Sequence, residues 1–167
     1  MKRIVIVEDR PWVTEKDVLR MKKENIDIAA MIYYPNSNST KQDQERMVQK
    51  FTNNTGVNVK WVNNQREFVD AMDQWYAKEQ VVFLVDFDLK GDGSTNFDNR
   101  INVLYVKDKE RQGESNERFW FYTTGNVDVK SILMAQFKGH VIDVDFDSLH
   151  MQLEWDMEQI REMVGDK

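Results

Sequence analysis

Six short runs of β-branched and aromatic residues recur along the chain, each followed by a longer and more polar segment. The runs occupy residues 4–7, 28–34, 57–62, 81–86, 119–123 and 141–144. The runs 4–7 and 28–34 are apolar throughout and 81–86 is apolar up to its last residue, which is typical of strands buried on both faces of a parallel sheet. Strands that alternate with helices build a sheet that is covered on both sides. The sequence therefore predicts an α/β fold: a doubly wound, mainly parallel sheet of five or six strands with helices on both faces.

Helix-start signals precede several of the segments between the runs. Thr40 with Asp43, and Asn64 with Glu67, have the spacing of a capping box, and a helix is also expected over 11–24. Residues 101–106 are compatible with a strand or a helix, and we expect a helix. Asn126 and Gly139 are expected to bound another helix.

The end of the chain is expected to be helical as well. Ser148 precedes apolar residues at helical spacing, which predicts a last helix with its inward face formed by Leu149, Leu153, Met157, Ile160 and Val164. Met151 and Trp155 fall on the opposite face of that helix. They could complete the core or contact a partner.

Composition excludes several classes of protein. The 167 residues correspond to one domain, 1–167. The chain has no Cys, which rules out disulfides, thiolate zinc sites and a Cys nucleophile, and its two His residues rule out a multi-His metal site. A net charge of −6 argues against general binding to nucleic acid or anionic membranes. The first apolar run is too short for a signal peptide or a membrane span, so a cytoplasmic protein is expected.

Acidic residues stand at the carboxyl ends of the predicted strands. Glu8 and Asp9 end the first strand, Asp86 ends the strand over 81–86, and Asp88 follows two residues later. The carboxyl ends of parallel strands meet at one edge of the sheet, where ligands bind in such folds. Carboxylates gathered there repel one another unless a cation lies among them, and hard oxygen ligands suit Mg²⁺. A nearby hydroxyl, such as that of Thr124, could contact a phosphoryl oxygen.

These residues resemble the motifs of a response-regulator receiver domain. Glu8-Asp9 stands where that family has its acidic pair, and 84–93 is similar to the stretch around the phosphorylated Asp. Thr124-Gly125 fits the hydroxyl residue and the small residue that follow the next strand. The resemblance implies an atypical CheY-like signalling domain that acts through protein contact, with a protein partner such as a histidine kinase and with homodimerisation open. It further implies that Mg²⁺ is held by Glu8, Asp9, Asp86 and the backbone carbonyl of Asp88, and that Asp86 is the phosphoacceptor, with Thr124 beside it.

The sequence departs from the receiver pattern in two respects. The family carries a Lys at the end of its last strand, usually as Lys-Pro-Phe, whereas this chain has Val144-Asp145-Phe146 there, and Val141 replaces the usual aromatic residue three places earlier. The second departure is an insertion at about 25–56 relative to the family, which is expected to form an extra strand and helix. Without the Lys and the aromatic residue, a phosphorylated state would lack two side chains through which the family usually changes conformation.

Two other functions fit the same residues. Asp86 and Asp88 resemble the Asp-x-Asp pair of haloacid-dehalogenase-type phosphatases, with Asp143 and Asp145 as metal carboxylates. That interpretation leaves Glu8 and Asp9 without a role. Alternatively, the missing Lys favours a pseudo-receiver, a binding module without phosphate chemistry.

Overall fold

A computed structural model describes residues 2–35, 40–89, 100–124, 127–137 and 140–165. The loop predicted around 90–95 and the helix-bounding residues Asn126 and Gly139 lie outside these ranges. Strands and helices alternate through most of the chain, in the order β1 Arg3–Glu8, α1 Pro11–Lys23, β2 Ile28–Tyr33, α2 Lys41–Thr55, β3 Val59–Val62, α3 Gln65–Tyr76, β4 Val81–Asp86, α4 Ile101–Arg111, β5 Phe119–Tyr122, α5 Val127–Gln136, β6 Val144–Asp147, β7 Gln152–Trp155 and α6 Met157–Met163.

Five of the strands form one parallel sheet, with the order β3-β2-β1-β4-β5. The predicted doubly wound α/β fold is therefore confirmed. The segment 25–56 does contain a strand and a helix, β2 and α2, but β2 lies inside the sheet beside β1. The two edge strands of the sheet are β3 and β5. The strand predicted at 141–144 is reduced to one parallel bridge between Val141 and Phe121.

The sheet separates two hydrophobic cores. Successive side chains of β1 point alternately into one core and the other. Val5 and Val7 face a core shared with α3, α4 and Phe137. Ile4 and Ile6 face the other core, which α1, α2, α6 and β7 complete. Because both faces are covered, the central strands β1, β2 and β4 are apolar almost throughout, as the sequence predicted.

The helix-start signals behave as their chemistry predicts. Thr40 and Asp43 form a reciprocal capping box at the start of α2, and the Asn64 side chain accepts a hydrogen bond from the Glu67 N–H at the start of α3. Residues 101–106 are helical, within α4. Gly56 ends α2 with a φ of 68°, a backbone conformation in which glycine has no steric penalty.

The last predicted helix is wrong in its first half. Instead of a helix from Ser148, β6 and β7 form an antiparallel hairpin, and α6 begins only at Met157. Leu149 is 84% exposed at the hairpin turn, whereas Trp155, predicted on the outer face, is buried. The spacing of the apolar residues fits both periods, and the pairing of β7 with β6 selects the strand. In the described part of the chain, every helix is too short or too polar to cross a membrane.

Candidate functional site

The acidic residues of β1 and β4 do meet at the carboxyl edge of the sheet. These two strands are parallel neighbours, with Val7 opposite Val85, so Asp86 lies beside the end of β1. Asp9 and Asp86 are both buried. Burial raises the pKa of Asp86 well above its ordinary value, and the negative charges of Glu8 and Asp9 raise it further. The predicted convergence of Asp9 and Asp86 is therefore present.

The loop after β4 is fixed by hydrogen bonds to α4 and β5. Asp86 Oδ1 accepts the backbone N–H of Asp88 at 2.9 Å, and the Asn102 amide donates to the Asp86 carbonyl at 2.7 Å. The Asp88 carboxylate accepts from Arg100 at 3.0 Å and from Thr123 Oγ1 at 2.7 Å. These contacts hold the backbone around Asp86 in place and engage the Asp88 side chain.

Glu8 turns away from the edge and into the protein. It is fully buried, and its carboxylate accepts hydrogen bonds from Thr14 Oγ1 at 2.7 Å and from the Tyr122 hydroxyl. Burial raises its pKa, and the bonds from Tyr122, Thr14 and Asp17 oppose that shift. Glu8 is thus enclosed by protein donors, unlike the ion ligand implied by the receiver resemblance.

Asp17 extends this buried network towards the hairpin. Its Oδ1 accepts the Trp155 indole N–H at 2.9 Å, and the Trp155 ring meets Tyr122 edge-on at a centroid distance of 4.7 Å. Burial raises the pKa of Asp17 well above its ordinary value, and the charge of Glu8 raises it further. Glu8 and Asp17 are therefore neighbouring buried acids, each of which affects the protonation of the other.

Arg10 is the cation that the fold itself places among these acids. Its guanidinium lies 4.0 Å from Asp9 Oδ1, and its positive charge lowers the pKa of Glu8, Asp17 and Asp86 against the effect of burial. Arg10 also lies 6.0 Å from the centre of the Phe146 ring. One guanidinium offsets only part of the negative charge that these acids carry when ionised, so a further cation would stabilise their ionised forms.

The donors at the edge fit Mg²⁺ in type and in number. Mg²⁺ commonly takes one or two carboxylates and keeps several waters, and Asp9 and Asp86 supply two carboxylates beside the Asp88 backbone. Over the described ranges, however, no three His, Cys, Asp or Glu side chains form a ready-made metal cage. A cation here would be held by Asp9 and Asp86, without Glu8.

A cavity of about 610 Å³ lies next to this edge, between the end of β5 and the hairpin. Thr123 and Thr124 both line it; Thr124 is exposed, and Thr123 is buried and bonded to Asp88. Asp143 and Asp145 also line the cavity, and Asp143 forms an ion pair with Lys130 of α5. Thr123 is therefore the hydroxyl that the structure connects to the loop after Asp86.

The sequence-based prediction missed Arg10, Asp17 and Tyr122. A signal for Asp17 exists, because Val13, Thr14, Asp17, Val18 and Met21 form the buried stripe of α1. A carboxylate on such a stripe must find a partner in the core. Strand alternation likewise places Glu8 on the same face as Ile4 and Ile6, beneath α1.

Comparisons with known proteins leave the family open. No family model matches the chain, and no curated protein matches it. Among solved structures, the fold is similar to a double mutant of a Serratia marcescens short-chain dehydrogenase/reductase, with a TM-score of 0.41 and 12% sequence identity. That alignment covers 83% of this chain and 62% of the other, so this chain spans less than two thirds of the length of that enzyme.

Proposed function

We propose that this chain is a receiver-like signalling module that binds a divalent cation at Asp9 and Asp86, accepts a phosphoryl group on Asp86, and acts through protein contact. The observation that carries the proposal is the parallel register of β1 and β4, which brings the buried Asp86 beside the buried Glu8 and Asp9. Acidic residues of two neighbouring strands therefore lie together at the carboxyl edge of the sheet, where ligands bind in such folds.

The phosphoryl transfer requires the ionised form of Asp86. A carboxylate oxygen of Asp86 forms a bond to phosphorus while the bond from phosphorus to the acetate oxygen of acetyl phosphate breaks, and acetate leaves with the electron pair. Burial disfavours the ionised form. When bound, Mg²⁺ supplies the positive charge that favours the ionised carboxylate and holds phosphoryl oxygens. The Asp88 N–H holds Asp86 Oδ1 in place throughout.

Phosphorylation of the purified chain tests this proposal directly. After incubation with Mg²⁺ and acetyl phosphate, intact-mass spectrometry is expected to detect one phosphoryl adduct that is lost in Asp86→Asn. Asp70→Asn, an exposed Asp on α3, is the matched control and is expected to keep the adduct. Turnover of p-nitrophenyl phosphate that needs both Asp86 and Asp88 would instead support the phosphatase alternative.

The pseudo-receiver is the second candidate, because Arg10 already lies among the acids where a metal would bind. Isothermal titration with Mg²⁺ separates the two functions. In the cation-binding module, Asp9→Asn weakens Mg²⁺ binding and Arg10→Met strengthens it, since the competing guanidinium is gone. If the wild-type chain binds no Mg²⁺ and Arg10→Met only destabilises the fold, the cation site is refuted and the pseudo-receiver stands.

A further inference from the structure

The hairpin of β6 and β7 presents apolar side chains on a turn that is held rigidly. Leu149 is 84% exposed, and Met151 and Phe146 are exposed beside it. Three large apolar side chains are thus exposed within six residues of one hairpin, which makes this surface a candidate contact site. We refer to Phe146, Leu149 and Met151 as the hairpin patch.

Five polar contacts hold the turn that carries this patch. Asp147 Oδ1 accepts the N–H groups of Leu149 and His150, at 3.0 Å and 3.2 Å, and His150 Nδ1 lies 2.7 Å from Asp147 Oδ2. From α1, Lys16 Nζ donates to the carbonyls of His150 and Met151, at 2.7 Å and 3.2 Å. Met151 has a φ of 51°, a conformation that only a well-determined turn maintains in a non-glycine residue. The turn is preorganised, so a partner would lose little conformational entropy in binding it.

The hairpin segment has acidic side chains and no Lys or Arg of its own, while Lys16 and Arg10 approach it from outside. Residues 141–160 contain six acidic residues and no Lys or Arg. On the outer face of the hairpin, Asp145 lies directly opposite Glu154. Like charges in opposing positions of a strand pair are destabilising, so the hairpin carries a local repulsion that a bound cationic group would relieve.

The adjacent cavity has the size and lining to receive long basic side chains. Its volume is about 610 Å³, and Asp145, Glu154 and Asp156 line it together with Thr124. Lys130 already pairs with Asp143 at its wall. Lys and Arg side chains combine an apolar stem with a charged head, which matches a cavity lined both by carboxylates and by Val144 and Trp155.

We propose that the hairpin is a docking surface for a basic amphipathic segment of a partner protein. Apolar residues of that segment cover Leu149 and Met151, and its Lys or Arg residues pair with Asp145 and Glu154 and enter the cavity. This inference deepens the protein-contact part of the proposed function and is independent of the cation chemistry at Asp86.

Fluorescence anisotropy with a labelled amphipathic helical peptide of Leu and Lys tests the surface. We expect the peptide to bind and its affinity to fall about tenfold in Leu149→Ser and in Glu154→Lys. Glu154→Lys puts a cation opposite Asp145, so the hairpin itself should not unfold. Met47→Ser and Glu45→Lys on α2 change an exposed Met and an exposed Glu elsewhere, and both should leave the affinity unchanged. Asp86→Asn should leave it unchanged as well, which separates this surface from the phosphoryl chemistry.

Three results would overturn the proposal. Equal affinity in the hairpin variants and the α2 variants would reduce the binding to general attraction by an acidic protein. Equal binding of a peptide with the same residues but scattered leucines, or full competition by spermine, would identify a cation site without an apolar component. A dimer that light scattering detects and that Leu149→Ser dissociates would identify a second copy of this chain as the occupant.

Discussion

Replacing Trp155 with Phe isolates the hydrogen bond that ties the hairpin to α1. The indole N–H donates to Asp17 Oδ1 at 2.9 Å in a buried environment, and the ring packs edge-on against Tyr122. Phe keeps most of the apolar contact and removes the donor. Asp17 then stays buried without the hydrogen bond that opposes the rise of its pKa.

The expected loss of unfolding free energy is about 2–4 kcal/mol. Leaving the Asp17 acceptor buried without its donor costs about 1–3 kcal/mol, and the smaller ring adds a packing cost. Trp61→Phe is the matched control, because Trp61 Nε1 is buried with no acceptor among the described residues. It removes the same atoms from another Trp and breaks no hydrogen bond.

Urea denaturation followed by far-ultraviolet circular dichroism gives the comparison, since the readout does not depend on the Trp that is removed. In the double variant with Asp17→Leu, the cost of Trp155→Phe should shrink, because the buried acceptor is no longer present. If Trp155→Phe costs no more than Trp61→Phe, or if the cost is the same with Asp17→Leu, the bond does not stabilise the hairpin.

Three further predictions concern stability in urea. Burial raises the pKa of Glu8, Asp17 and Asp86, so the folded chain keeps protons that the unfolded chain releases. The free energy of unfolding should therefore fall as the pH rises from about 5 to 8, by up to ~1.4 kcal/mol per pH unit for each proton kept. The fall should be less steep in Asp17→Asn. An unchanged slope in that variant would contradict this. Arg118 donates to three carbonyls around the start of β4, so Arg118→Met should cost about 2 kcal/mol and Arg118→Lys should recover only part; full recovery would refute the role of the guanidinium fork. Thr40→Ala should cost about 1 kcal/mol and Thr40→Ser much less, if the capping box holds α2.

The central strands could be predicted because burial on both faces leaves a clear mark. In β4 every position from Val81 to Val85 is apolar, and the first polar residue, Asp86, marks the carboxyl end. Parallel topology then brings that end next to the end of β1 without further information. The meeting of Asp9 and Asp86 therefore followed from the sequence through a rule of topology and needed no knowledge of side-chain packing.

The hairpin could not be predicted in this way, because its residues satisfy two periods at once. Leu149, Leu153 and Met157 are spaced as on a helix, while Leu153 and Trp155 alternate as on a strand. The structure chooses the strand because Val144 and Phe146 lie opposite Trp155 and Leu153. That pairing partner is several residues away in sequence, and no local pattern records it. In the described part of the chain, β5 pairs with no sixth strand, and only the bridge between Phe121 and Val141 remains of the strand predicted at 141–144.

The buried acids also differ in the hydrogen bonds that they receive. Glu8 accepts hydrogen bonds from Thr14 and Tyr122, and Asp17 Oδ1 accepts one from Trp155. Asp86 receives a backbone N–H and the distant charge of Arg10, while two neighbouring acids oppose its ionisation. In the cation-binding module that we propose, a cation from solvent would favour the ionised form of Asp86, the buried carboxylate that ends the central strand β4.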